Sequence, residues 1–129
     1  MKRLLVVDDA LFMRKMISDV AADAGWEVVG EAGDGAAAIS LYERLRPDLV
    51  TMDLVMPVMG GLEALRRIRA LDPGAKVIVV TALDQKQALM DSIRDGAIDF
   101  IVKPFERERV RNLLVKLGRT ASSPTPGSP

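Results

Sequence analysis

Four short pieces of this chain carry side chains that could do chemistry: Asp8-Asp9, Asp53, Thr81 and Lys103-Pro104. Each sits where an apolar run ends, after Leu4-Leu5-Val6-Val7, Leu49-Val50-Thr51-Met52, Val77-Ile78-Val79-Val80 and Phe100-Ile101-Val102. If those runs are parallel strands, three carboxylates, a hydroxyl and an ammonium emerge along one edge of one sheet. Ligands bind at the carboxyl edge of open α/β sheets. Carboxylates crowded there repel one another, and a divalent cation relieves that repulsion. A cation, a hydroxyl and an ammonium together suit a phosphoryl group.

The elements that must hold these residues alternate strictly. Strands are expected over residues 3–7, 26–31, 48–52, 76–80 and 98–102, the second weakened by Gly30. Met13, Met16, Ile17, Val20, Ala21 and Ala24 recur with a helical period over residues 10–24, stopped by Gly25. Ala38, Leu41, Tyr42 and Leu45 mark a second helix that ends before Pro47. Leu62, Leu65, Ile68 and Leu71 mark a third, closed by Asp72-Pro73-Gly74. Helices over 84–95 and 106–117 complete five βα units. Continuous apolar strands in such alternation predict a parallel sheet covered on both faces. After Gly118 the chain turns to Ser, Thr, Pro and Gly, which predicts a tail or linker over 119–129 and one domain over 1–118.

Composition narrows the chemistry. The 129 residues suffice for one buried core. Eighteen Lys and Arg balance eighteen Asp and Glu, so no basic field invites nucleic acid. The absence of both Cys and His excludes disulfides, zinc–thiolate centres, Ser-His catalysis and imidazole ligands. A bound metal would be a hard cation held by oxygen. The apolar run after Met1-Lys2-Arg3 is too short for a signal peptide, and no segment approaches a membrane span. A cytoplasmic protein is expected.

Leu5-Val6-Val7-Asp8-Asp9, the run from Met52-Asp53 to Gly60-Gly61, Val80-Thr81-Ala82 and Lys103-Pro104-Phe105 resemble the receiver domain of two-component response regulators. The resemblance covers residues 2–117 or so. Asp9-Ala10-Leu11-Phe12-Met13-Arg14 and Thr51-Met52-Asp53 are most like the single-domain chemotaxis members. It implies a flavodoxin-like (βα)5 α/β fold with strand order 2-1-3-4-5, a feature of the family that periodicity does not supply. It further implies that Asp53 accepts a phosphoryl group from a histidine kinase, assisted by Lys103 and Thr81. Mg²⁺ would be held by Asp9, Asp53 and the Val55 carbonyl, with Asp8 acting through water. Thr81, Phe100 and Pro104 would form the switch, with a cis peptide before Pro104 aiming Lys103 at the site. Phosphorylation would then change the face of helix 4, strand 5 and helix 5, including Lys86, Gln87, Met90, Phe100 and Arg107. That face would bind an output protein, of the flagellar-motor type or another, rather than membrane or nucleic acid. The chain would turn over no external substrate.

Simpler readings exist for each residue alone. Asp9 could be a helix N-cap, Thr81 a strand end, Phe100 plain core, and the arginines of 66–67 and 107–111 solvated faces. Met52, Met56 and Met59 suit packing better than a hard ion. Among whole-protein rivals, the chain could be a receiver from a larger protein with a DNA-binding or methylesterase output. A Mg²⁺-dependent phosphohydrolase of the haloacid type would want an acid where Val55 stands. A flavin binder would want a phosphate loop where Asp8-Asp9 repels phosphate.

Overall fold

The computed structural model describes residues 2–121, with side chains through Arg119. Its elements run β1 Lys2–Val7, α1 Leu11–Asp23, β2 Trp26–Ala32, α2 Gly35–Leu45, β3 Leu49–Asp53, α3 Gly61–Leu71, β4 Val77–Ala82, α4 Lys86–Arg94, β5 Asp99–Lys103 and α5 Arg107–Ala121. All strand pairs are parallel, in the order β2-β1-β3-β4-β5. This is the order the family resemblance implies.

Side chains alternate across each strand, so the apolar runs feed two cores at once. Leu5, Val7, Val50, Met52, Val77 and Val79 pack with Ala38, Tyr42, Ala64, Leu65 and Ile68 of α2 and α3. Leu4, Val6, Leu49, Ile78, Val80 and Ile101 pack with Ile17, Val20, Val110 and Leu114 of α1 and α5. No helix among the described residues is long and apolar enough to cross a membrane.

Element ends depart from expectation in instructive places. The residue that caps α1 is Ala10, with no side-chain bond, so Asp9 is not an N-cap. Gly30 sits at a register shift in β2, where Leu4 pairs with Val28 and Leu5 with Gly30. A Cβ on Gly30 would lie 2.9 Å from a Leu45 methyl, so that side chain would have to shift to admit one. α4 is shorter than 84–95, because Leu83 and Asp84 form a turn in which the Gln85 N–H donates to the Ala82 carbonyl. α5 runs past Gly118 to Ala121, so the first three residues of the expected tail are helical. Gly118 does not stop the helix: it lies beside the Trp26 indole, which a Cβ there would meet at an ordinary 3.5 Å and whose N–H donates to the Leu114 carbonyl at 2.8 Å. The remainder of that expected tail, 122–129, lies outside the described residues.

Candidate functional site

Strand register brings the chemical residues to one edge. Val7 is level with Met52, Asp53 with Val80, Thr81 with Val102 and Ala82 with Lys103. Asp8, one step past Val7, therefore lies level with Asp53. Carboxylate oxygens of Asp8, Asp9 and Asp53 all come within 4.8 Å of one another. Asp8 and Asp53 are buried, and Asp9 is exposed at the mouth.

Lys103 reaches from β5 across the end of β4 to both buried carboxylates. Its Nζ lies 3.1 Å from Asp8 Oδ2 and 3.2 Å from Asp53 Oδ2. The peptide that follows it, Lys103–Pro104, is cis, as the resemblance implies. Burial pulls the Lys103 ammonium's pKa down, but the charges and hydrogen bonds of Asp53 and Asp8 outweigh that and raise it. The Asp53 carboxyl is pushed above the usual carboxylate range, first by lost hydration and then by the Asp8 charge. Lys103 and the Val55 N–H, which donates to Asp53 Oδ1 at 3.2 Å, oppose that rise without cancelling it. Asp53 is thus a carboxylate short of positive charge.

The other expected residues fall around this centre. Thr81 is buried beside it, its hydroxyl donating to the Ala82 carbonyl at 3.3 Å. Phe100 is not core: it is 37% exposed on the edge strand β5. Val55 has an exposed side chain on the loop after β3, and Leu83, two residues after Thr81, is exposed on the loop after β4.

Two supports were not singled out by type and spacing. Gly61 opens α3 directly against the β3 end, its N–H donating to the Leu54 carbonyl at 3.0 Å. A Cβ there would fall 2.0 Å from the Asp53 carbonyl oxygen. The loop before it is further held by the Gly35 N–H, which donates to the Met59 carbonyl at 2.8 Å. Val58, at φ 67°, carries the left-handed turn that this path requires, an unfavourable conformation for a β-branched residue. Arg14 is the second support, bonded to the backbone of Asp8. The Gly-Gly pair after a Pro-containing loop hinted at the first support; nothing in the local sequence marked the second.

The donor set is anionic oxygen throughout, which fits a hard divalent cation and excludes a soft one. A parallel sheet of this order, with an acidic cluster bridged by an ammonium at its switch point, defines a phosphoryl-handling α/β module. The sequence profile of the response regulator receiver domain matches residues 4–115. The chain belongs to that family: it is a receiver domain of two-component response regulators. It is 48% identical over 118 residues to the chemotaxis protein CheY of Thermotoga maritima, covering 92% of this chain and 98% of that one. It is 50% identical over 119 residues to CheY of Listeria monocytogenes, covering 92% and 100%. Among solved structures, a CheX–CheY–BeF3–Mg complex from Borrelia burgdorferi superposes with TM-score 0.85 at 33% identity, over 91% of this chain and 89% of that one. These likenesses place the chain with the chemotaxis-type regulators, signalling proteins whose family is controlled by phosphorylation.

Proposed function

We propose that Asp53 is the phosphoacceptor of this receiver, and that its phosphorylation switches the face of α4, β5 and α5 for a protein partner. The observation that carries the reading is the Asp8–Asp9–Asp53 cluster bridged by Lys103. A histidine kinase would be the donor. One Asp53 carboxylate oxygen attacks phosphorus as the phosphorus–nitrogen bond of phosphohistidine breaks, and the electron pair returns to the imidazole. Asp9, Asp53 and the Val55 carbonyl would hold Mg²⁺, with Asp8 reaching it through water. When bound, Mg²⁺ supplies positive charge to the transferring oxygens. Lys103 supplies a second, fixed positive charge and keeps Asp8 and Asp53 in line.

Thr81 would give up its bond to the Ala82 carbonyl and donate to a phosphoryl oxygen instead. The β4–α4 loop then draws inward, and Phe100 turns in from its exposed position. Pro104 shapes the loop beside Lys103. Such a change is a shift between two states of one face. That face presents Met90, Ile93, Ile98 and Phe100 to solvent, an apolar patch suited to a helix or peptide of the output protein. The chain would catalyse only its own phosphorylation and dephosphorylation, in the cytoplasm, with residues 1–118 as the functional unit.

Intact-mass measurement with Mg²⁺ and acetyl phosphate tests the reading. Wild type should gain one phosphoryl group and Asp53→Asn none. Equal labelling of the variant removes Asp53 from the mechanism.

A further inference from the structure

Arg14 lies one turn into α1, and its guanidinium turns back to the end of β1. Nη1 donates to the Asp8 carbonyl at 2.6 Å, and Nε donates to Glu31 Oε1 at 3.2 Å. The Arg14 side chain is 19% exposed and that of Glu31 41%. Every other polar group of Asp8 already has a partner. Its N–H donates to the Ala32 carbonyl, Oδ1 accepts from the Ala10 N–H, and Oδ2 accepts from Lys103. Arg14 therefore holds the last free point of the residue.

The Asp8 carbonyl belongs to the peptide that leads into Asp9. The Asp9 carboxylate accepts no hydrogen bond among the described residues, so its backbone is the only part of its placement that a neighbour fixes. Fixing that carbonyl aims Asp9. An arginine does this with two donors in a rigid fork, one for the carbonyl and one for the carboxylate of Glu31; a lysine is a single point charge. A bare guanidinium beside three carboxylates would, however, repel a divalent cation approaching them. Glu31 cancels that charge.

We infer that Arg14 is the positioning residue of the cation site, aiming Asp9 through the Asp8 carbonyl, and that Glu31 keeps Arg14 from repelling the cation. The inference rests on the reading that Asp9 and Asp53 bind Mg²⁺. Glu31 also orients Arg14 by accepting from its Nε, and a double-mutant cycle isolates that part of its effect from the direct pull of its charge.

Calorimetric titration of Mg²⁺ into the full chain provides the test, with melting temperature in EDTA as the folding control. Arg14→Gln should raise Kd about 10- to 100-fold, the usual cost of losing a group that orients a ligand. Arg14→Lys should not rescue it. Glu31→Gln should raise Kd by at least about threefold at low salt and less at high salt, as an exposed charge effect requires. In the Arg14→Gln background, Glu31→Gln should cost less than in wild type, because only the direct, salt-screened loss of its charge remains. Arg14→Gln binding within about twofold of wild type, or a Glu31→Gln loss equal in the two backgrounds, overturns the inference. If Arg14→Gln fails to fold, Glu31→Gln decides alone, and an unchanged Kd overturns it. A wild-type chain that binds no Mg²⁺ overturns the site reading and the inference together.

Discussion

Replacing Gly61 by alanine should damage both the fold and the phosphoryl chemistry. The added Cβ would meet the Asp53 carbonyl oxygen at 2.0 Å, its carbon at 2.8 Å and the Leu54 Cα at 2.9 Å. All three are backbone atoms of the strand end and its first loop residue, so no side chain can swing aside. Ordinary contact starts near 3.4 Å. The α3 start must therefore back away by about 1 Å, and the Gly61 N–H then loses the Leu54 carbonyl. An orphaned amide costs about 1–3 kcal/mol and overpacking about 1–3 kcal/mol, so a loss of about 2–6 kcal/mol is expected from a native stability of about 5–15 kcal/mol. Because the pushed atom is Asp53's own carbonyl, phosphorylation should also slow, by up to about a hundredfold for a 1 Å misplacement. Urea unfolding in EDTA, followed by Trp26 fluorescence, measures the first effect; labelling by acetyl phosphate measures the second. Gly60→Ala is the control. Its Cβ would lie 3.2 Å from the Leu54 carbonyl oxygen, and its loss should stay near 1 kcal/mol or below. A Gly61→Ala protein that loses less than about 1 kcal/mol and labels at the wild-type rate refutes the reasoning.

Lys103→Met leaves Asp8 and Asp53 buried without their cation, and should cost about 3–5 kcal/mol in EDTA, part of it recovered on adding Mg²⁺. Equal losses with and without Mg²⁺ would show that the carboxylates do not share the two cations. The raised Asp53 pKa predicts a pH dependence in EDTA: its charged form burdens the folded state, so Asp53→Asn should be more stable than wild type near neutrality. As pH falls through the raised folded pKa toward the ordinary 3.8, the folded protein takes up the proton first and wild type closes the gap. A gap that stays constant with pH means the burden is not electrostatic. Val55→Asn combined with Leu83→Glu puts polar side chains at exposed positions of the loops after β3 and β4. Aspartyl phosphate should then hydrolyse roughly ten- to a hundredfold faster, as ~1–3 kcal/mol of water orientation is regained. No change in decay rate would show that these positions do not set the lifetime.

The middle of the sheet was legible because its strands carry apolar runs, Leu4–Val7, Leu49–Met52 and Val77–Val80, that are buried on both faces: Val77 through Val80 are at most 1% exposed. The chemical residues were legible for a related reason. Each is the first polar residue after such a run, and the strand order aligns the run ends. Distances between elements leave no such trace. Arg14 and Glu31 are 17 residues apart, and no periodicity connects a helix residue to a carbonyl behind it and a carboxylate on the next strand. Gly61 reads locally as a loop glycine, and only the approach of α3 to β3 reveals that nothing larger fits. The end of α5 was misplaced because Gly118 reads as a stop, whereas the helix runs through it to Ala121. Phe100 shows the limit of alternation: β5 is an edge strand, and Phe100 remains 37% exposed there although its neighbour Val79 in β4 is fully buried.

α4 is fastened unlike its neighbours. Its one fully buried residue is a serine, Ser92, whose hydroxyl donates to the Leu89 carbonyl at 2.7 Å, and Ala88 and Leu89 are only half-buried. The contacts that tie its far end are polar: Arg66 pairs with Asp95 at 2.6 Å, and the Arg69 guanidinium lies over Gly96. A helix secured by ions more than by oil should be the first to surrender its amide protons to deuterium, as a unit and well before the sheet. Salt should hasten that exchange in α4 and leave β3 untouched, because screening weakens an exposed ion pair and does nothing to Val50 and Met52. The ionic strength of the surroundings would then set how long the face around α4 keeps one shape.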